Sequence, residues 1–326
     1  MKFKTIPILI LLLAIQLPVL AGQPQEESRR NITANNLSGP LLEVHFLDVG
    51  QGDSMYVRTP GGKHYLIDAG PRSARKKIIP YLRYLKVEKL DGVFITHSHM
   101  DHMGSLLYIL KEFPVARFYY PGYFHTSATN KKVAALLEQT KTEVHEVRRG
   151  DTIELDEGVA AVALHPPKKG WEPFDDDLNN FSLVLRLTYG DVDFLLTGDA
   201  EEKSEKEILQ SKMVLRSEFL KIGHHGSRTA TSEEFLEAVF PLYAVVSAGV
   251  KNSFGHPHDV VLKRLRDRDI TILRTDDSGT IGVYTDGKRI MIKIKGKDWL
   301  PVSWFIRTRT PGSTWVIVNK EGGSYA

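Results

Sequence analysis

Residues 96–102 read Thr-His-Ser-His-Met-Asp-His, which places three imidazoles and one carboxylate on consecutive or alternate positions. The run follows Gly-Val-Phe-Ile at 92–95, an apolar segment that predicts a short buried strand. Side chains two apart on extended backbone point the same way, so His97 and His99 can face one point, and Asp101 can turn back toward it as a helix begins. Pockets in layered α/β folds often lie at the carboxyl ends of strands. The pattern therefore predicts a metal centre rather than a solvated histidine-rich turn.

The donor atoms of this turn suit two adjacent divalent ions. Imidazole nitrogens suit zinc, manganese and iron, and a carboxylate shifts the preference toward harder ions. We therefore expect two divalent metal ions as cofactors, with zinc favoured and manganese as the alternative. The ligands predicted from this turn are His97, His99, Asp101 and His102.

Around the turn, short apolar strands alternate with amphipathic helices in two successive halves. A hairpin lies in each half, with its turn at 60–62 in the first and at 189–191 in the second, and each half ends with helices. Two such halves predict two mixed sheets packed face to face with helices outside, a four-layer αββα sandwich. We assign this domain to residues 41–296 and treat residues 297–326 as a C-terminal extension of unknown role.

The start of the chain predicts an export signal rather than part of the fold. A short basic segment precedes an apolar run at 6–20, and Ala21 ends a small-residue pattern that a signal peptidase accepts. The run is about fifteen residues long, short of the roughly twenty that span a bilayer, although an uncleaved anchor is the alternative. We predict a signal peptide at 1–21, a flexible linker at 22–40, and a secreted or periplasmic location.

The composition of the 326-residue chain excludes some kinds of site. It contains no cysteine, which rules out disulfides and thiolate ligands. The 43 Lys and Arg residues against 40 Asp and Glu give a formal net charge of +3, and the pI is near 8.8. This mild basicity permits an anionic substrate without arguing for one. Without cysteine, and with no Ser-His-Asp arrangement in a recognisable context, covalent catalysis is not expected.

The spacing His-x-His-x-Asp-His at 97–102 resembles the signature of the metallo-β-lactamase superfamily. The resemblance implies the αββα fold, a dinuclear metal site and a metal-activated hydroxide as nucleophile. It also implies a supporting carboxylate at Asp68 and a carboxylate at Asp199 that bridges both metals. By itself, the Gly-Asp pair that ends at 199 is typical of an ordinary turn. The residues predicted to be catalytic are Asp101 and Asp199.

A narrower resemblance rests on five segments that occur in order along the chain, at 48–54, 179–185, 220–227, 255–258 and 274–280. Together they resemble the metallo-β-lactamase domain of ComEC, the competence-protein family of DNA-uptake channels. The channel helices of that family are not predicted here, so the resemblance concerns the hydrolase domain and not transport. It implies hydrolysis of an anionic phosphodiester, with DNA as the leading substrate by analogy.

The pair His224-His225 follows a predicted strand at 219–222, where a ligand of the second metal is expected. We predict His225 as this ligand and keep His224 as an alternative ligand or a phosphate contact. A buried histidine pair bonded to the backbone is the structural alternative. Ser227 is expected to open the next helix, where backbone N–H groups could receive an anionic oxygen.

Further substrate contacts are predicted after the strand at 242–247. His256 is expected as either a ligand or a substrate contact, and Asn252 either bonds substrate or holds its own loop. The residues predicted to bind substrate are His224, Ser227, Asn252, His256 and His258.

The first metal lacks one expected ligand. Many members of the superfamily carry a histidine just before the second-half hairpin, but residues 177–180 read Asp-Leu-Asn-Asn. His165, Asn179 or a water could complete the shell, and a weaker first metal site is the other possibility.

Three rival functions remain open from the sequence. A phosphorylcholine-type esterase would use the same metal site, with Trp171, Phe174 and Tyr123 lining a cation pocket. A lactonase or β-lactamase is disfavoured by the phosphate-compatible His-His-Gly-Ser corner. A non-catalytic binding protein, using the loop at 166–180 for a partner, is disfavoured by the intact ligand set.

Overall fold

Two β-sheets carry the fold, as seen in a computed structural model of the chain. The structure describes residues 37, 39–125, 127–169 and 177–295, together with the backbone of two strands beyond them. In chain order the strands are β1 (Leu42–Phe46), β2 (Met55–Arg58), β3 (His64–Ile67), β4 (Gly92–Phe94), β5 (Arg117–Tyr120), β6 (Glu143–Glu146), β7 (Thr152–Asp156), β8 (Val159–His165), β9 (Val184–Tyr189), β10 (Val192–Leu196), β11 (Phe219–Lys221), β12 (Tyr243–Val246), β13 (Thr271–Arg274), β14 (Ile281–Thr285), β15 (Arg289–Lys295), β16 (Pro301–Thr308) and β17 (Val316–Asn319). The helices are α1 (Arg75–Tyr84), α2 (Met100–Met103), α3 (Leu106–Glu112), α4 (Ala128–Gln139), α5 (Glu202–Gln210), α6 (Glu233–Val239), α7 (Asp259–Arg266) and α8 (Thr275–Ser278).

Each sheet combines an antiparallel part with a parallel part. In the first sheet the strand order is β17-β16-β15-β14-β1-β2-β3-β4-β5-β6, with parallel pairing from β3 to β6. In the second the order is β13-β12-β11-β10-β9-β8-β7, with parallel pairing from β10 to β13. Helical crossovers join the parallel strands, whereas short turns join antiparallel neighbours such as β2 with β3 and β9 with β10.

The main core lies between the sheets. Aromatic rings run across its centre, with Phe194 stacked on Phe219 at 4.7 Å and Phe219 on Tyr243 at 4.8 Å between ring centroids. Burying a side chain of this size contributes about 1.5–3 kcal/mol. Two further clusters pack helices onto the outer faces, one involving α1, α3 and α4 and the other α5, α6 and α7. The predicted four-layer αββα sandwich is confirmed.

The parallel strands bring several polar loops to one edge of the sandwich. β3 and β4 of the first sheet end at Ile67 and Phe94, and Asp68 and His97 follow them closely. In the second sheet β10 runs into the loop that carries Asp199. Since the carboxyl ends of parallel strands share one edge, these side chains can converge.

The two ends of the chain are described less completely than the sandwich. Residues 1–36 lie outside the described residues, so the signal peptide at 1–21 and most of the linker at 22–40 stay predictions. Within 297–326, β16 and β17 pair in order onto β15 at the edge of the first sheet. Among the described residues, we find no helix with both the length and the apolar character to cross a membrane.

Candidate metal centre

Asp68 fixes the turn that carries the histidines. Its Oδ1 accepts a hydrogen bond from the backbone N–H of Thr96 at 2.8 Å, and its Oδ2 accepts one from the Thr96 hydroxyl at 2.8 Å. The same Oδ2 lies 2.8 Å from Nδ1 of His102. All three side chains are buried. Asp68 therefore fixes the backbone of Thr96 and the ring of His102, which is the supporting role that the resemblance implies.

His102 and His225 face one carboxylate from opposite sides. Asp68 binds Nδ1 of His102, which turns Nε2 toward Asp199, 3.2 Å from Oδ1. Nδ1 of His225 donates to the backbone carbonyl of Ser247 at 3.0 Å, and its Nε2 lies 3.4 Å from Asp199 Oδ2. Such bonds at Nδ1 fix the ring orientation of metal-binding histidines.

Asp101 approaches the same point from the rim. Its Oδ2 is 3.3 Å from Nε2 of His225, and its side chain is 35% exposed. We call Asp101, His102, Asp199 and His225 the inner cluster. Its carboxylates and imidazoles are the donor types that zinc and manganese sites share.

The unpaired atoms of the inner cluster fit a cation. Nε2 of His102, Nε2 of His225 and Oδ1 of Asp199 are buried and have no hydrogen-bond partner among the described residues. An orphaned buried polar atom costs roughly 1–3 kcal/mol, so three that face one point need a common partner. Ligand atoms of these three residues and of Asp53 all lie within 4.8 Å of one another. The residues present therefore fit a divalent metal ion.

The electrostatics of the inner cluster agree with this assignment. Burial opposes ionisation of Asp199, yet the charges of His102 and His225 hold its pKa well below the usual range. Burial also opposes protonation of His102, but Asp199 and Asp68 raise its pKa well above the usual value. Asp199 therefore stays charged, and the imidazoles that face it hold protons. Since only a neutral imidazole binds metal, a divalent ion here would displace those protons and take over the balancing of the Asp199 charge.

His97 and His99 form a second group, here called the outer pair. Nε2 of His97 is 2.9 Å from Nδ1 of His99 and 3.9 Å from Asp199 Oδ2. Burial, reinforced by the neighbouring His102, lowers the pKa of His97 well below its usual value, which keeps this imidazole neutral. A neutral imidazole is the form that binds metal. Asp199 therefore lies between His97 of the outer pair and the imidazoles of His102 and His225.

The three candidates for the missing ligand differ in position. Nδ1 of His165 is 3.0 Å from the carbonyl oxygen of Ser182, and its Nε2 lies 3.9 Å from Glu207. Asn179 instead interacts with His99, and its Nδ2 is 3.4 Å from Nδ1 of His224. The buried Oδ1 of Asn179 has no hydrogen-bond partner among the described residues. Of the two side chains, the structure brings Asn179 to the outer pair.

His224 lies at the mouth of the site. Its Nδ1 is 2.7 Å from Glu201 Oε1, its Nε2 is 3.9 Å from Asp199 Oδ2, and its side chain is 25% exposed. The sequence did not single out Glu201, although it stands two positions after Asp199. The geometry favours His225 as ligand and leaves His224 facing solvent, where it can meet a substrate.

The expected helix at Ser227 is wrong. Residues 223–226 form a single 3-10 turn in which His224 and His225 both have left-handed backbone, with φ of 44° and 54°. The Ser227 N–H donates to the His224 carbonyl at 2.8 Å, so it is not available to an anion. The next helix, α6, begins at Glu233, because Ser232 caps it by accepting a hydrogen bond from the backbone of Phe235.

The other predicted substrate contacts lie in one loop beside the site. The Asn252 amide is used within that loop, where Oδ1 accepts from the backbone N–H of His256 at 3.0 Å. The ring of His256 is 5.4 Å from that of His224 and 6.3 Å from that of His225, centroid to centroid. Nδ1 of His258 accepts from the backbone N–H of Arg228, which ties it to the neighbouring turn. His256 is therefore near the metal-facing rings, and Asn252 holds the loop.

A buried ion pair beneath the site was not predicted. Lys221 Nζ lies 2.8 Å from Asp53 Oδ2, and both side chains are 0% exposed. Asp53 Oδ1 is also 3.4 Å from Nδ1 of His225. Burial opposes ionisation of Asp53, but the Lys221 charge prevails and lowers its pKa to about 2. Lys221 lies in the strand that the sequence predicts at 219–222, and Asp53 lies in the segment 48–54. No local feature of either segment indicates that the two side chains meet.

Comparison with known proteins places this site in a family. Residues 47–250 match the family described as the metallo-beta-lactamase superfamily. The chain belongs to the metallo-β-lactamase superfamily. This superfamily consists mostly of hydrolases, and the group of Asp53, His102, Asp199 and His225 is consistent with a divalent-metal site.

Two curated relatives share the superfamily domain with this chain. ComE operon protein 3 of Bacillus subtilis (strain 168) is 35% identical over 256 residues, which cover 73% of this chain and 32% of that protein. Competence protein ComA of Neisseria gonorrhoeae is 33% identical over 242 residues, which cover 72% and 31%. The resemblance to the competence proteins is confirmed, and the chain spans about a third of the length of these relatives.

A solved structure supports the fold. Igni18, a metallo hydrolase from the archaeon Ignicoccus hospitalis KIN4/I, aligns with a TM-score of 0.50 at 16% identity. The alignment covers 74% of this chain and 98% of that one. At such low identity the similarity concerns the fold alone.

Proposed function

We propose that this member of the metallo-β-lactamase superfamily is a metal-dependent phosphodiesterase that acts on nucleic acid. The main support is that ligand atoms of His102, Asp199 and His225, which are buried and lack a hydrogen-bond partner among the described residues, converge at one point. The names of the curated relatives, which include a competence protein, support nucleic acid as substrate.

We propose that the site holds two divalent ions, zinc or manganese. The inner cluster would hold one, and the outer pair with Asn179 would hold the other, with Asp199 between them. When bound, such ions lower the pKa of a coordinated water toward neutrality and offset the charge of a phosphate.

The residues at the rim bind and orient the reactants. Burial opposes ionisation of Asp101, but His225 holds its pKa below the usual range, so Asp101 is a carboxylate that can orient an attacking water by accepting its hydrogen bond. His224, fixed by Glu201 at Nδ1, presents Nε2 at the mouth, and its protonated form would donate a hydrogen bond from Nε2 to a phosphate oxygen. Both groups are partly exposed, as contact with a substrate requires.

The rival functions differ in what surrounds the metals. A phosphorylcholine esterase would need the aromatic cation pocket predicted from Trp171, Phe174 and Tyr123. Trp171 and Phe174 lie outside the described residues, and Tyr123 packs edge-on against Phe181 at 6.4 Å between ring centroids. A lactonase or β-lactamase would need the same metals but no phosphate contact. A non-catalytic binding protein would not need the unpaired ligand atoms that the inner cluster retains.

The experiment is a substrate panel on the metal-loaded protein. We expect cleavage of bis-p-nitrophenyl phosphate and single-stranded DNA, loss of both with a chelator, and recovery with zinc or manganese. Nitrocefin, a lactone and p-nitrophenylphosphorylcholine test the rivals. Turnover of one of these without cleavage of bis-p-nitrophenyl phosphate or DNA, or cleavage that survives chelation, would reject the proposal.

A variant of Asp199 checks the same site. Asp199→Asn keeps the shape but removes the charge shared by His102 and His225. Because even outer-shell partners are worth 10–100-fold, we expect activity to fall by more than roughly a hundredfold. Asp193→Asn in β10 is the control, since Asp193 bonds Arg186 and Thr188 away from the strand's carboxyl end. Equal activity of the two variants would refute the role of Asp199.

We also propose export to the periplasm or the exterior, from residues 1–21. Fractionation of cells producing the full chain should place the protein outside the cytoplasm, with its N-terminus at residue 22. Recovery of uncleaved protein in the cytoplasm would reject this.

A further inference from the structure

His256 lies beside the metal centre, and its neighbours hold its ring in place. The ring centroid is 5.4 Å from that of His224 and 6.3 Å from that of His225. The ring of Phe254 stacks on it with 5.6 Å between centroids and 25° between planes. The backbone is fixed as well, because the Asn252 side chain bonds both the N–H and the carbonyl of His256. His256 therefore presents its ring nitrogens in set directions, as either a metal ligand or a substrate contact.

Gln51, in the loop at 48–54, contacts one nitrogen of this ring. Its Oε1 accepts a hydrogen bond from the backbone N–H of Gly249 at 3.2 Å, and its Nε2 lies 3.5 Å from Nδ1 of His256. A backbone N–H can only donate, so the amide atom that faces Gly249 has to be the oxygen. The amide atom that faces His256 is then the NH₂ group, which can only donate. The contact with Gly249 therefore sets the polarity of the contact with His256.

This polarity fixes the position of the proton on the His256 ring. Nδ1 has to accept, so it carries the lone pair, and in the neutral imidazole the proton is then on Nε2. Burial, reinforced by the neighbouring His224 and His225, lowers the pKa of His256 to about 4, which keeps the ring neutral near neutral pH. Nε2 has no hydrogen-bond partner among the described residues, and it is not one of their fully buried unpaired atoms. A hydrogen-bond donor beside the metal centre is thus open to a group that enters from solution.

We propose that His256 is a substrate contact and not a metal ligand, donating from Nε2 to an oxygen of the substrate phosphate, and that Gln51 is the positioning residue that fixes this tautomer. A ring nitrogen that carries a proton has no lone pair for a metal, and the lone pair of Nδ1 already accepts from Gln51. A hydrogen bond to a charged phosphate oxygen is among the stronger kinds. This inference rests on the proposed phosphodiesterase function and adds to it a substrate contact and the residue that orients it.

Nitrogen NMR of the zinc-loaded protein at neutral pH locates the proton, because a ring nitrogen has a different chemical shift when it is protonated, bare or bound to zinc. The chain has 12 histidines, so the His256 signals are identified as those missing from His256→Ala. We expect a protonated Nε2 and a bare Nδ1. A zinc-bound nitrogen on His256, or a proton on its Nδ1, would overturn the inference.

Gln51→Glu tests the positioning role with the same measurement. The new carboxylate has nearly the same shape and can still accept from the Gly249 N–H, but it cannot donate to His256. Nδ1 of His256 should therefore gain a proton in this variant, which a side chain that only fills space would not cause. An Nδ1 that stays bare in Gln51→Glu would show that Gln51 does not set the tautomer.

Removal of the ring distinguishes a substrate contact from a ligand. His256→Ala should lower kcat/KM for bis-p-nitrophenyl phosphate roughly ten- to a hundredfold, the range for one hydrogen bond to a charged group. Zinc affinity, measured by calorimetry, should stay unchanged, which also shows that the variant is folded. Loss of a true ligand would lower it by at least the roughly 10–100-fold that the partners of ligands contribute.

His145→Ala is the matched control. The His145 side chain is 45% exposed on β6, at the edge of the first sheet, where its ring stacks on Tyr119 at 5.2 Å between centroids. Its removal should change neither kcat/KM nor zinc affinity. Equal kcat/KM of His256→Ala and His145→Ala would overturn the substrate contact.

The outcomes separate this inference from the proposed function. The ring proton and the zinc affinity are measured without turnover, so they test the tautomer and the ligand role whatever the substrate is. If His256→Ala cleaves bis-p-nitrophenyl phosphate as well as wild type does, the proposed function stands and the substrate contact fails. If the wild-type protein cleaves no phosphodiester, the proposed function fails and the substrate contact fails with it.

Discussion

At the scale of single residues, the buried charges around the site form a chain. Lys221 pairs with Asp53, Asp53 faces Nδ1 of His225, and Nε2 of His225 faces Asp199. Lys221 Nζ also donates to the carbonyl of Ile222 at 2.8 Å. Lys221 therefore neutralises Asp53 and leaves the remaining carboxylates to attract the metal.

Removal of this cation should destabilise the fold. Lys221→Met keeps the length of the side chain but leaves Asp53 as a buried, uncompensated carboxylate, which costs about 3–5 kcal/mol. Urea unfolding should show this loss, and Asp53→Asn in the same chain should recover part of it. Lys206→Met, at an exposed pair with Glu202, should leave the midpoint unchanged. A Lys221→Met midpoint equal to that control would contradict the pairing.

The sequence predicts the candidate metal ligands better than the buried ion pair of Asp53 and Lys221 that packs behind them. His97, His99, Asp101 and His102 are close in sequence, so their spacing alone indicates a shared target. Asp53 and Lys221 are far apart in the chain, and each is locally ordinary. Their meeting depends on two sheets coming together, which no local pattern encodes.

At the scale of elements, a glycine allows the loop at 48–54 to approach the histidine-containing turn at 96–102. Gly52 has φ of +134°, and a Cβ built there would lie 2.2 Å from the carbonyl oxygen of Asp101. The Asp53 N–H also donates to that carbonyl at 3.2 Å. The loop at 48–54 therefore sets the position of the turn that carries Asp101.

A side chain at Gly52 should displace Asp101. Gly52→Ala is expected to lower metal affinity and activity, because the new Cβ must push a backbone carbonyl aside. Gly50 in the same loop also has positive φ, +79°, but a Cβ there meets nothing within 4 Å. Gly50→Ala should show only the strain of left-handed backbone in an L residue, about 1–2 kcal/mol. Metal titration by calorimetry distinguishes the two, and equal metal affinities would show that the close approach is unimportant.

Element type was predictable, and the local geometry of the turn at 223–226 was not. Periodicity predicts the strand before this turn, but the sequence also predicts a helix that begins at Ser227, and no helix begins there. The left-handed backbone of His224 and His225 instead directs their rings to different positions, one at the mouth and one inside. The helix begins later, at the cap that Ser232 supplies.

At the scale of the whole molecule, the metal centre joins the two sheets. His97 and His102 follow β4 of the first sheet, whereas Asp199 and His225 follow β10 and β11 of the second. The backbone also crosses here, since Leu183 N–H donates to the Thr96 carbonyl at 2.8 Å. The layered fold was predictable from alternating strands and helices. The pairing of distant strands, such as β1 with β14, was not, because it depends on contacts between residues far apart in the sequence, which no local pattern encodes.

Metal binding should therefore stabilise the entire domain. A ligand that binds the folded state alone adds roughly 2.7 kcal/mol at a hundred times its Kd, and domains of this size gain about 2–4 °C per kcal/mol. Thermal unfolding should show a Tm that rises with added zinc or manganese and falls with chelator, whereas magnesium should have a smaller effect. A Tm independent of all three ions would contradict a metal that joins the sheets.

Anomalous scattering from crystals of the metal-loaded protein, recorded at the absorption edge of the metal, tests the central claim most directly. We predict two peaks on either side of the Asp199 carboxylate, one contacting His102 and His225 and the other contacting His97 and His99. A map without peaks there, or with the metal bound elsewhere, would contradict the account.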